Sequence, residues 1–167
     1  MTAEPMPSVV VGVDGSQASI LALRWAGVIA PLMSAEIRAV TAWDFDVPFP
    51  LVAPAVPNPD HAAGRTCSLA VERAFGTTPP APVNQVVRRG APAKVLIDES
   101  LTAQLLILGS SDHGHMKELL MGSVSTLAAQ QAKCPVLIAH GIELPSGLMP
   151  AAAAAPIEPV NKETRRE

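Results

Sequence analysis

Hydrophobic and polar positions along the chain change period repeatedly, and each change predicts an element. Ser8 to Val13 (SVVVGV) is a short β-branched run bounded by glycine and aspartate, the mark of a buried strand. From Ser16 onward Ala18, Leu21, Ala22, Trp25 and Ile29 recur at helical spacing, with Ser16 as an N-cap and Pro31 near the end. Glu36 to Trp43 (EIRAVTAW) predicts a second strand. Asp60 is placed to cap a helix running to about Phe75, with Ala63, Cys67, Ala70 and Ala74 as its apolar stripe. Val83 to Arg88 predicts a third strand, Ala91 to about Leu101 a short helix with Pro92 in its tolerated first turn, and Gln104 to Leu108 a fourth strand. Ser123 is placed to cap a helix on which Val124, Leu127 and Ala128 face inward, and Pro135 to Ala139 predicts the last strand. The order βαβαβαβαβ predicts an α/β fold: a five-stranded parallel sheet with helices on both faces, a three-layer α/β/α arrangement.

Composition sharpens where that pattern stops. Of the 17 prolines, most fall in four clusters, at residues 5–7, 48–59, 79–82 and 145–159. Proline fixes φ and donates no backbone hydrogen bond, so the clusters mark ends and connections. The 167 residues suit one domain on a prior of about 150 residues per domain. The expected limits are a disordered head at 1–7, a domain at 8–142 and a disordered Ala/Pro-rich tail at 143–167. A net charge of −3, with two Trp, three Phe and no Tyr, offers little to a phosphate backbone or to bases. No apolar stretch approaches the roughly 20 residues of a membrane span, and the N-terminus lacks a basic-then-apolar secretory pattern. A cytoplasmic protein with neither a nucleic-acid nor a membrane partner is therefore expected. Cys67 and Cys134, far apart and outside any C-x-x-C, predict small buried hydrophobes rather than a disulfide.

In an open parallel sheet, ligands bind beyond the carboxyl ends of the strands, where the strand order reverses. Two strand ends here combine glycine with small polar residues: Gly12-Val13-Asp14-Gly15-Ser16 after the first, and Gly109-Ser110-Ser111-Asp112-His113-Gly114 after the fourth. If those strands are neighbours, the two turns line one crevice. Gly122-Ser123 would add free N–H groups and a hydroxyl at a helix start, which favours phosphate; the same glycines also serve tight turns without any ligand. Asp112, His113 and His115 lack the further ligands that a metal site needs, so no metal is assigned. With no Gly-x-Ser-x-Gly elbow and no general base in view, no catalytic residue is assigned and the chain is not expected to be an enzyme.

Gly12-Val13-Asp14-Gly15-Ser16, Gly90-Ala91-Pro92-Ala93, Leu106-Ile107-Leu108-Gly109-Ser110, Leu119-Leu120-Met121-Gly122-Ser123-Val124-Ser125 and Cys134-Pro135-Val136-Leu137, in that order, resemble the universal stress protein family over residues 8 to 141. The resemblance implies strand order 3-2-1-4-5 and an adenine-nucleotide site between strands one and four. The ligand would be ATP, with magnesium as its companion, or AMP or cyclic AMP. By the family pattern, Gly12 and Asp14 sit beside ribose and phosphates, Gly109, Ser110, Gly122, Ser123, Val124 and Ser125 hold phosphates and ribose, and backbone near Ala42 faces the adenine. The family signature carries a glycine where this chain has Asp112. A carboxylate about 5 Å from a phosphate charge is repelled by about 3 kcal/mol at an effective dielectric near 20, roughly a hundredfold in affinity. A divalent cation bridging Asp112 and the phosphates would reverse that sign. The alternative expectation is a nucleotide-free interaction protein of the same fold. The resemblance further implies a homodimer paired through the last strand, Pro135 to Ala139, otherwise an exposed apolar edge.

Overall fold

A computed structural model describes residues 6–44, 58–110 and 122–148. The strands are β1 (Ser8–Gly12), β2 (Glu36–Trp43), β3 (Val83–Arg89), β4 (Leu105–Gly109) and β5 (Val136–Ala139). The helices are α1 (Gln17–Leu32), α2 (Pro59–Phe75), α3 (Pro92–Glu99) and α4 (Ser123–Gln131), with a 3₁₀ turn at Ser100–Thr102. All strand pairings are parallel and the order is β3-β2-β1-β4-β5, as the resemblance implies.

The continuous Val9-Val10-Val11 run follows from burial on both faces of a central parallel strand. Val9 and Val11 pack with α1 and α2 around Ile37, Ala39, Cys67 and Ile107, while Val10 packs with α3 and α4 around Val40, Leu96, Leu106 and Ala128. Two apolar cores on opposite faces of one sheet make the three layers. Ala22, Ala26 and Ala30, all fully buried, let α1 lie close to the sheet. Arg24 is also buried on α1; one guanidinium nitrogen donates to the Arg73 carbonyl at 3.4 Å, at the negative end of α2.

Several local expectations are corrected. α2 begins at Pro59, with Asn58 in the left-handed region as its N-cap, so Asp60 lies in the first turn rather than capping it. A carboxylate there still favours the helix start. Gly122, not Ser123, caps α4, and Leu127 is exposed because this short helix turns only Ser125 and Ala128 fully inward. Trp25, on the apolar stripe of α1, is partly buried and packs against the core. Cys67 is fully buried, and burial pushes its thiol up; Cys134 is half-buried, and both are free thiols. At the margins, the Pro7 carbonyl already accepts from the Glu36 N–H at 2.9 Å, and Leu144 is buried in the α1-side core. The packed chain therefore extends past both edges of the expected 8–142 domain. Residues 48–57, the Asp112 to His115 cluster and the chain from 149 lie outside the described residues.

Candidate ligand-binding site

Parallel strands deliver all their carboxyl ends to one edge of the sheet. From neighbours β1 and β4 the strand order runs outward in opposite directions, so the flanking connections part and leave a crevice. A cavity of about 430 Å³ opens there, inside the roughly 300–1,000 Å³ range of small-molecule sites. Gly12, Val40, Ala42, Leu108 and Gly109 form its floor, and the first turns of three helices form its walls: Ser16, Ala18 and Ser19 of α1 and the residue before it, Pro92 and Leu96 of α3, and Gly122, Ser123 and Val124 at α4.

The three helix starts differ. At α1 the Ser16 hydroxyl oxygen accepts from the Ser19 N–H at 3.1 Å, and the Asp14 carboxylate accepts from the Ser16 N–H at 2.9 Å, so that terminus carries a side-chain cap and a nearby negative charge. Ala91 and Gly122 cap α3 and α4 without any side-chain bond. Uncapped N–H groups at the positive end of a helix dipole suit an anion, and at α4 they open on the cavity. Among the described residues Asp14 is the one charged side chain in the lining. Burial raises its pKa, but hydrogen bonds from the Ser16 side chain and backbone and from Ser19 outweigh that and hold the carboxyl below its ordinary value.

Of the residues expected at the site, Gly12, Asp14, Ala42, Gly109, Gly122, Ser123 and Val124 meet in this lining. Ser110 and Ser125 do not. The Ser110 N–H donates to the Ala139 carbonyl at 2.9 Å, and the buried Ser125 hydroxyl donates to the Gly109 carbonyl at 3.2 Å. Asp112 lies outside the described residues. Gly109 is required by packing: an added Cβ would lie 2.4 Å from the carbonyl carbon and oxygen of Ala18. Trp43 stacks with Arg89, its ring centroid 5.7 Å from the guanidinium. Strand alternation turns Trp43 to the face opposite Ala42, away from the cavity.

The sequence reading missed Val40, Leu108, Pro92 and Leu96 as lining residues. Val40 was available by alternation, two residues before Ala42 on the same face of the strand. Leu96 was not, because its place depends on how α3 crosses the sheet.

Residues 6–140 match the model of the universal stress protein family. Universal stress protein Rv2005c of Mycobacterium tuberculosis is 37% identical over 139 residues, covering 79% of this chain and 45% of the relative. Universal stress protein Rv2623 of the same organism is 36% identical over 138 residues, covering 79% and 44%. The chain thus spans about half the length of these curated relatives. Among solved structures, a universal stress protein in complex with cAMP is 29% identical with a TM-score of 0.57, covering 82% of this chain and 98% of that one. A family member from Burkholderia pseudomallei shares the fold at 22% identity and a TM-score of 0.59, covering 80% and 96%.

Proposed function

The chain belongs to the universal stress protein family, and from that premise we propose that its crevice binds an adenine nucleotide, the module serving to sense or buffer it in a stress response. The observation that carries this reading is the uncapped start of α4 opening on a cavity at the β1–β4 switch point. A phosphate takes the N–H groups of Gly122 to Val124, the ribose lies near Asp14 and Gly12, and the base lies over Val40 and Ala42. A relative that holds cAMP supports the ligand class.

AMP and cyclic AMP are favoured over ATP, because the lining offers a polyphosphate no cationic side chain among the described residues and Asp14 adds a negative charge. ATP binds with magnesium, which offsets the repulsion from Asp14 and Asp112. The module acts by binding rather than catalysis. Asp14 is the one titratable lining residue among those described, and a carboxyl held low by Ser16 is a weak general base. Val136, Leu137 and Ile138 on edge strand β5 are incompletely covered, which favours a homodimer through that edge. Sedimentation at tens of micromolar that shows monomer alone removes the dimer. A cytoplasmic location accords with the absence, among the described residues, of any helix long and apolar enough to cross a membrane.

Calorimetry with cyclic AMP, AMP and ATP, each with and without magnesium, tests the nucleotide reading. We expect binding, with ATP alone dependent on the metal and tightened by Asp112→Gly. No heat at millimolar nucleotide under any of these conditions refutes it.

A further inference from the structure

We infer that Ser125 is a positioning residue, a brace that holds the start of α4 in place, rather than a contact of the bound nucleotide. The residue is 3% exposed and absent from the cavity lining, although Gly122, Ser123 and Val124 immediately before it all line the cavity. Its hydroxyl donates to the Gly109 carbonyl at 3.2 Å and so joins the first turn of α4 to the last residue of β4. On the other side Gly109 is pressed against the Ala18 backbone, with no room for a Cβ. The end of β4 is thus clamped between α1 and α4, and the clamp sets where the α4 amides point.

The brace matters because α4 is short. It has nine residues, no side-chain cap, and Leu127 turned to solvent. Its apolar anchorage among the described residues is the buried Ala128 with the partly buried Val124 and, at the C-cap, Ala132. In so short a helix one buried hydrogen bond changes local opening measurably.

That the aimed amides meet a phosphate rests on the nucleotide reading; the brace itself is readable without any ligand. Hydrogen exchange on the full chain, first without nucleotide, compares wild type with Ser125→Ala. Losing a bond of this kind should speed exchange at Thr126 to Ala128 by about fivefold, with α1 and α2 unchanged, and should weaken AMP binding about fivefold in calorimetry. Ser125→Thr, which keeps the hydroxyl, should restore both, and it carries the test should Ser125→Ala not fold. Unchanged exchange in ligand-free Ser125→Ala together with weakened AMP binding makes Ser125 a ligand contact and overturns the inference. Loosening of α4 by Ser125→Thr as well overturns it too. Wild type that takes no AMP, while Ser125→Ala still loosens α4, leaves the brace standing and refutes the nucleotide reading alone.

Discussion

Replacing Gly109 by alanine separates packing from ligand binding at the glycine on which the site is built. The new Cβ would sit 2.4 Å from the carbonyl carbon and oxygen of Ala18, about 1 Å inside ordinary contact, and those are backbone atoms in the first turn of α1. That turn is held by the Ser16 cap, so it cannot yield by a rotamer change. Overpacking of this kind costs about 3 kcal/mol, at the upper end of its usual range. The smaller conformational freedom of alanine in the unfolded chain returns about 0.5–1 kcal/mol. The net loss of about 2 kcal/mol corresponds to a fall of about 4–8 °C in Tm for a chain of this size. Gly12 is the internal control. Its Cβ would meet Leu108 Cδ2 at 2.6 Å and Leu96 Cδ1 at 3.0 Å, the ends of flexible side chains, and would point toward the cavity. Gly12→Ala should therefore melt within about 1 kcal/mol of wild type yet bind AMP more weakly. Thermal unfolding followed by circular dichroism, with calorimetry on the same samples, reads both quantities. A Gly109→Ala protein that melts within about 2 °C of wild type, or no lower than Gly12→Ala, refutes the packing account.

Two further outcomes follow from side chains already placed. The folded-state pKa of Asp14 is depressed, so its contribution to stability is present above the ordinary carboxylate value and is lost as pH falls through the lower folded value. Asp14→Asn should flatten the acid limb of a Tm-against-pH curve, and an unchanged limb counts against the Ser16 hydrogen bonds as its cause. Arg24 is buried, and its Nε has no hydrogen-bond partner among the described residues. Arg24→Met, which keeps the bulk and removes the buried charge, should melt at or above wild type, while Arg24→Ala should lose about 2 kcal/mol through the cavity it leaves. Equal damage in the two variants would instead assign the stabilisation to the bond with the Arg73 carbonyl.

The fold was legible because its strands are short, apolar and separated by helices of clear period. Val9-Val10-Val11 and Leu106-Ile107-Leu108 could hardly be read otherwise. Helix starts were less legible. Asp60 and Ser123 have good cap chemistry, but proline at the first position of α2 moved that start two residues earlier and an extended Gly122 moved the start of α4 one residue earlier. At the site, motif positions found the glycines and the α4 terminus but could not tell a residue that faces a ligand from one that holds another residue in place. Ser123 and Ser125 are equivalent as letters in Gly-Ser-Val-Ser, yet a turn of about 200° around the helix axis sends the first to the cavity and the second to Gly109. That distinction lies in tertiary placement, as does the exposure of Leu127.

Leu144 bears on how this domain is joined to anything that follows it. β5 runs parallel to the other strands and so releases the chain at the same edge of the sheet as the crevice, and five residues beyond Ala139 the Leu144 side chain is already sunk in the α1-side core. The outgoing chain is therefore tethered at a fixed point beside the body of the domain. Cutting at Ile142 would remove a core side chain along with the tail, a loss of about 2–5 kcal/mol by analogy with truncating a buried leucine. Any tag, linker or second unit is best attached beyond Leu148, where it inherits a defined starting position instead of unseating one.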